Sequence, residues 1–211
     1  MDNADTSKWT TVADPEELRR IVGDVKPRAA TKERPRLHRR DREWLAASPF
    51  CVVATADADG NCDASPKGDP AGLVHVLDDT TVAVPERKGN RRVDGYHNVL
   101  SNPHVGLLSL VPGRNETLRI NGRARIVADA PFFDDMVVKG HRPILALVVE
   151  IDTIFLHCGK SFMRADLWRP ESWDPDALPP HAQMVKETQS VSETLEELHR
   201  YYGEEYEKQL Y

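Results

Sequence analysis

Residues 50–66 read "FCVVATADADGNCDASP", and this stretch decides the fold class. Its first seven residues, 50–56, form a nearly continuous apolar run, which is typical of a β-strand covered on both faces. Asp59-Gly60 is a strong signal for a hairpin turn. The residues "CDASP" then provide the return strand. The stretch therefore predicts an antiparallel hairpin.

The pattern of residues 50–66 continues along the chain. "GLVHVL" and "TVAVP" predict a second hairpin, and "HVGLLSLV" predicts a buried strand. "TLRINGRARIVAD" predicts a long strand with a kink at Gly122, and "ILALVVEIDTIFLHC" another long strand. No parallel βαβ alternation appears. Six or seven mostly antiparallel strands are expected to close into a barrel, which removes exposed edges.

Short helices are predicted between and around the strands. "ADPEELRRIVG" has a good helix start, because Asp14 can cap it and Glu17 can complete a capping box. "LHRRDREWLAAS", "RRVDGYHNVLSNP" and "KSFMRADLW" predict three more helices. We expect a helical N-terminal extension with a basic connector (1–36), a barrel (37–170), and a Pro-rich linker followed by an acidic C-terminal helix (171–211).

Composition excludes several classes of function. The 211 residues carry a formal net charge of −6, which argues against general nucleic-acid binding. No stretch approaches the roughly 18 apolar residues of a membrane span. The polar, acidic start is not typical of a secretory signal. The three cysteines lack metal-ligand spacing, so we expect reduced thiols, no metal and a cytoplasmic protein.

The first candidate site is the basic stretch 85–92, "PERKGNRR". Arg87, Lys88, Arg91 and Arg92 surround a Gly-Asn turn, and a helix is expected to begin near Arg91. Arginine and lysine side chains, backbone amides and a helix N-terminus are the groups that hold a phosphate. A solvated basic turn explains the spacing equally well.

Two further stretches carry candidate ligand contacts along strands. In "CDASPKGDP", Pro66 removes a backbone donor, Gly68 permits close approach to a ligand, and Lys67 can face an anionic or electron-rich ring. The alternative is a strand that frays into a loop. In "GRNETLRINGRARI", Thr117, Arg119 and Asn121 share one strand face. They either meet a polar ligand inside the barrel or form an outward, solvated face.

The fourth stretch, "HCGKSFMRADLW", groups His157 and Cys158 with Lys160, Arg164 and Trp168. Adjacent strand residues point to opposite faces, so His157 and Cys158 are not expected to bind one metal ion together. The chain has no Walker loop and no dinucleotide glycine fingerprint.

Taken together, the chain resembles the FMN-binding split-barrel family of the pyridoxamine 5′-phosphate oxidase type. The resemblance runs from about Leu45 to Trp168. It looks closest to a bacterial subgroup of FMN-dependent enzymes. The matching residues are "ASPFCVVATADADGNCDASPKGDPAG", "VPERKGNRR", "NVLSNPHVGLLSLVPG", "ETLRINGRARI" and "HCGKSFMRADLW".

The resemblance implies a mainly β (α+β) fold, a six-stranded antiparallel split β-barrel with flanking short helices. It also implies a homodimer with two FMN sites at the interface. The family places the FMN phosphate at the residues that match Arg87, Lys88, Asn90, Arg91 and Arg92. It places the isoalloxazine ring along Ser65, Pro66, Lys67 and Gly68. Further contacts are implied from Glu116, Thr117 and Arg119, and from Lys160, Arg164 and Trp168 of the second subunit.

The resemblance implies an FMN-dependent oxidoreductase that acts on a small molecule. The authentic oxidases carry a Ser-Arg-Lys phosphate triplet and a C-terminal Trp…Arg substrate element, whereas this chain has "GNRR" and an acidic tail. Pyridoxamine 5′-phosphate is therefore not the expected substrate. A deazaflavin-dependent reductase on the same fold and a flavin-binding protein without turnover are the alternatives.

Overall fold

The computed structural model describes residues 4–211, apart from the side chain of residue 204. It contains two compact units, which meet in sequence between Glu33 and Arg34. The first unit holds helices α1 (Pro15–Val22) and α2 (Pro27–Ala30). The predicted start of α1 is confirmed: the Asp14 side chain accepts a hydrogen bond of 2.8 Å from the backbone N–H of Glu17.

The second unit contains one antiparallel sheet that curls into a half-barrel, consistent with a split barrel. Within residues 34–211 the sheet has seven strands in the order β2-β1-β5-β6-β7-β4-β3. The strands are β1 (Phe50–Ala56), β2 (Cys62–Gly68), β3 (His75–Val76), β4 (Thr81–Glu86), β5 (His104–Leu110), β6 (Thr117–Val127) and β7 (Leu145–His157).

The seven strands agree with the six or seven that the pattern predicts, whereas the count of six that the resemblance implies is wrong, because the second hairpin adds a very short strand. Only His75 and Val76 of "GLVHVL" pair with β4. The chain then reverses at Asp78, whose side chain accepts a hydrogen bond of 2.6 Å from the backbone N–H of Thr80. The first hairpin forms as predicted. Strand β1 pairs with β2 from Phe50, which lies opposite Gly68, to Ala56, which lies opposite Cys62.

The core fills the concave face of the half-barrel. Alternate residues such as Val53 of β1 and Leu118 and Ile120 of β6 are almost fully buried there. The predicted kink at Gly122 is confirmed, since the register of β6 against β7 shifts between Asn121 and Gly122. A Cβ atom at Gly122 would lie 2.0 Å from a backbone carbonyl oxygen of β7, so no other residue fits without a backbone shift.

Six helices accompany the sheet in residues 34–211. They are α3 (Arg39–Ala47), α4 (Asp94–Ser101), α5 (Lys160–Arg164), α6 (His181–Thr188), α7 (Leu195–Tyr201) and α8 (Glu204–Glu207). The tail differs from the single acidic helix that was expected. It forms α6, α7 and α8, and the buried side chains of Ala182, Val185 and Leu198 pack α6 against α7. No helix in the described part of the chain has the length and apolar character needed to cross a membrane.

Candidate functional site

A cleft of about 290 Å³ opens between β2 and the segment that follows β4. We call it the edge cleft. It is lined by residues 63–67 and 89–96 together with Val53, Val84, Glu86 and Leu147. Strand β2 ends the sheet on one side, and β4 is next to last on the other. The curl of the sheet therefore brings its two margins together around this cleft.

The edge cleft unites two of the predicted stretches, which are about 25 residues apart in the chain. Ser65, Pro66 and Lys67 line it from β2, and Asn90, Arg91 and Arg92 line it from the basic turn. The outer edge of β2 has no strand partner among the described residues. Pro66 therefore occupies an edge strand, where a missing backbone donor is tolerated. Gly68 ends β2 outside the cleft lining.

The basic turn has an unusual backbone. Arg91 and Val93 have φ values of +61° and +49°, in the left-handed region that residues other than glycine rarely adopt. Helix α4 consequently begins at Asp94 and not near Arg91 as expected. Such strained backbone is concentrated at ligand sites, where the surrounding structure maintains it.

The cations of the basic turn divide into paired and unpaired groups. The Arg92 guanidinium contacts Asp94, with 2.8 Å between Nε and Oδ2. Lys88 and Arg91 are exposed, and within residues 4–211 neither makes an ion pair or a side-chain hydrogen bond. Arg91 lines the edge cleft, so its charge is available to an anion there, whereas Lys88 lies outside the lining and borders a smaller cavity with Arg87 and His141.

Arg87 points away from the edge cleft. Its guanidinium lies 2.7 Å from Asp69 Oδ2 and donates hydrogen bonds to the backbone carbonyls of Met136 and His141. The hydroxyl of Tyr211 donates to the other oxygen of Asp69 at 2.8 Å. Arg87 thus ties the end of β4 to three other segments, and these contacts use most of its donors.

A partly buried polar network forms the inner part of the edge cleft. Lys67 Nζ lies 2.5 Å from Glu86 Oε2, and the hydroxyl of Tyr96 donates to the same oxygen at 2.8 Å. Burial, followed by the charge of Glu86, raises the pKa of Tyr96 well above its usual range. Burial also raises the pKa of the Cys51 thiol to about 12, although nearby Lys67 opposes this shift.

The lining of the edge cleft carries no net formal charge. The carboxylates of Asp63, Glu86 and Asp94 balance the cations Lys67, Arg91 and Arg92. Asp63 lies against the first turn of α4, since a Cβ atom on Gly95 would come within 3.1 Å of its Oδ2 atom. The net charge of the lining therefore neither attracts nor repels an anion.

The three polar residues that share one face of β6 lie on the outer face of the sheet. This is the outward alternative that the sequence left open, and not a face inside the barrel. Thr117, Arg119 and Asn121 face away from the buried Leu118 and Ile120. They line a second cleft of about 380 Å³, which we call the outer-face cleft. His157 and Ser161 complete its polar side, and Phe162 and apolar residues of β1 and β5 form the rest.

The remaining predicted site residues lie outside the edge cleft of their own chain. Glu116 makes an ion pair with Arg114 at 3.3 Å. The indole N–H of Trp168 donates to the backbone carbonyl of Arg114 at 2.7 Å. Lys160 and Arg164 are exposed on α5, next to the outer-face cleft.

Comparison with protein families gives one match. The model of the family described as pyridoxamine 5′-phosphate oxidase matches residues 37–158, more than half of the chain. The chain belongs to this family. A search of curated proteins found no significant match.

Solved structures also resemble this family member. HupZ from Group A Streptococcus is 18% identical, with 57% of this chain and 93% of that chain covered and a TM-score of 0.46. General Stress Protein 26 from Bacillus anthracis is 15% identical, with 57% and 94% covered and a TM-score of 0.42. An FMN-binding protein from Syntrophomonas wolfei is 14% identical, with 56% and 89% covered and a TM-score of 0.42. At these TM-scores the similarities add no argument about function.

Sequence reasoning missed four polar residues of the edge cleft, namely Asp63, Glu86, Asp94 and Tyr96. Asp63 and Lys67 lie on the same face of β2, an even number of residues apart, and this spacing was a usable signal. Glu86 and Tyr96 gave no comparable signal, because their partners are distant in the chain. Among the described residues, no group of three or more His, Cys, Asp or Glu side chains could hold a metal ion.

Proposed function

We propose that this chain is an FMN-dependent oxidoreductase that acts on a small-molecule substrate. The observation that carries the proposal is the edge cleft itself. It combines the unpaired cation of Arg91 with an apolar floor and the open edge of a β-strand. These are the features required by a ligand with a phosphate at one end and a planar heterocycle at the other.

The rim of the edge cleft suits a phosphate monoester, which carries nearly two negative charges at neutral pH. Arg91 supplies a charge there that pairs with no carboxylate among the described side chains. The first turn of α4 adds backbone N–H groups near the same place, and Asn90 already accepts a hydrogen bond of 3.0 Å from the backbone of Arg92. Charge-assisted hydrogen bonds from such groups are the strong ones in phosphate recognition.

The inner part of the edge cleft suits a flat ring system. Val53, Val84 and Leu147 provide an apolar floor. The open edge of β2 offers backbone groups that no other strand uses in the described residues. An exposed strand edge is a template for hydrogen bonds to a ligand or a partner chain.

Bound FMN would supply the transfer of a hydride or of electrons, and the protein would supply binding, orientation and electrostatics. The apolar floor excludes water from one face of the cleft. Burial and the neighbouring Glu86 raise the pKa of Tyr96, so its phenol also remains a hydrogen-bond donor in alkaline solution. Lys67 is held by Glu86 and does not stand as a free cation in the cleft.

We also propose that the chain acts as a homodimer. The outer face of the sheet leaves Val52, Ala54 and Leu108 partly exposed around the outer-face cleft. Met163 and Trp173, on and after α5, are 62% and 58% exposed. A second copy that covers this apolar surface would be expected to bury more than roughly 2,000 Å². We expect sedimentation to give a dimer at nanomolar concentration, and a monomer that binds FMN tightly would contradict this proposal.

The absorbance spectrum of the purified protein tests the proposed cofactor. Bands of oxidised flavin, together with steady-state oxidation of a nicotinamide donor, are the expected result. Deazaflavin absorbance would instead identify the reductase alternative. Flavin bands without turnover for any donor or acceptor would favour a flavin carrier.

A further inference from the structure

Lys67 and Glu86 form an ion pair that spans the open side of the half-barrel. Lys67 lies on β2 and Glu86 is the last residue of β4, and these strands are not neighbours in the sheet. Both side chains are 15% exposed and both line the edge cleft. We call this contact the inner ion pair. Its position alone is compatible with a purely structural role, namely to hold the two margins of the sheet together.

A second ion pair already serves that structural role. Asp69 follows β2 and Arg87 follows β4, so their contact joins the same two segments. We call it the outer ion pair. Its side chains are 3% and 12% exposed, and neither residue lines the edge cleft. Because Arg87 also binds two backbone carbonyls, the outer ion pair anchors the open side more extensively than the inner one.

The inner ion pair presents a donor and an acceptor side by side. The ammonium group of Lys67 has three N–H donors, and Glu86 uses one of them. Lys67 and Tyr96 both contact Oε2 of Glu86, so Oε1 makes no hydrogen bond within residues 4–211. The two charges cancel. An anion therefore gains little here, whereas an uncharged group with an acceptor beside a donor can satisfy both residues.

We infer that Lys67 and Glu86 are specificity-determining residues that recognise an uncharged imide edge, the CO–NH–CO unit of a pyrimidine-type ring. Lys67 donates to a ring carbonyl and Glu86 accepts from the ring N–H. This inference rests on the proposed function, because the flavin ring carries such an edge. It assigns the deep end of the edge cleft to the neutral ring and leaves the rim to the phosphate.

Riboflavin and N3-methylriboflavin test this assignment without involving the phosphate. The methyl group removes the only N–H of the imide. Titrations that follow flavin fluorescence should show N3-methylriboflavin binding roughly tenfold to a hundredfold more weakly to the wild-type protein, since a hydrogen bond to a charged group is lost. In the double variant Lys67→Met/Glu86→Leu this ratio should fall close to one. Replacing both partners avoids leaving one charge buried and unpaired.

The double variant Asp69→Asn/Arg87→Met is the matched control. It also removes one ion pair between the same two segments, but it should keep the wild-type ratio. Equal binding of the two flavins by the wild-type protein would overturn the inference, whether or not any variant folds. So would a ratio that is unchanged in Lys67→Met/Glu86→Leu. Failure of the wild-type protein to bind FMN or riboflavin at all would instead contradict the proposed function.

Discussion

Replacing Arg91 by glycine should weaken FMN binding and stabilise the fold slightly. Arg91 is exposed and has a φ of +61°. The left-handed conformation costs a residue with a Cβ atom about 1–2 kcal/mol. Glycine does not incur this cost. It makes the unfolded chain more flexible, however, and this cancels about 0.4–1 kcal/mol of the gain in stability. The net gain in the free energy of unfolding should be roughly 0.5–1 kcal/mol. A purely structural residue would not combine a gain in stability with a loss of ligand.

The loss of one charge-assisted hydrogen bond should weaken FMN binding roughly tenfold to a hundredfold. Riboflavin, which lacks the phosphate, should bind equally to the wild-type protein and to Arg91→Gly. Arg92→Ala should have a smaller effect than Arg91→Gly, because Asp94 already pairs with Arg92. The assays are fluorescence titration of the apoprotein with both flavins and urea unfolding without ligand. Unchanged FMN affinity in a folded Arg91→Gly protein would refute the assignment of the rim to phosphate.

Three other predictions concern the surroundings of the edge cleft. Arg87→Met should lower the free energy of unfolding by about 3 kcal/mol or more in urea titrations, because Asp69 stays buried without its partner; a neutral result would contradict its anchoring role. Truncation before Asp174 should leave FMN bound, since no residue of the tail lines the edge cleft; a folded dimer without flavin would argue against this. Since the pKa of Tyr96 is raised in the folded state, its contribution to stability is complete below about pH 10 and is lost at higher pH. Tyr96→Phe should remove part of that decline above about pH 10, whereas the exposed control Tyr206→Phe should not.

Local sequence patterns predicted most of the sheet. The hairpin of β1 and β2 and the kink at Gly122 follow from turn residues and periodicity, which act within a few residues. The strand at "GLVHVL" was predicted too long, because only His75 and Val76 of that segment pair in the sheet. The start of α4 was missed because Arg91 and Val93 adopt left-handed backbone conformations, which their residue types disfavour.

The candidate site could be predicted only in part. The sequence identified the stretches around Lys67 and Arg91, and the structure brings both into one cleft. The sequence could not show that Glu86 lines the edge cleft whereas the adjacent Arg87 lies outside it and pairs with Asp69. Ion-pair partners that are 18 or 19 residues apart leave no spacing signal in a single sequence.

The most direct test of the proposed function compares FMN with riboflavin on the wild-type apoprotein. FMN should bind at least about tenfold more tightly, because only FMN can use the cations at the rim of the edge cleft. Inorganic phosphate should then compete with FMN and leave riboflavin binding unaffected. Equal affinities for the two flavins, or no binding of either, would contradict the proposal that this cleft holds FMN by its phosphate.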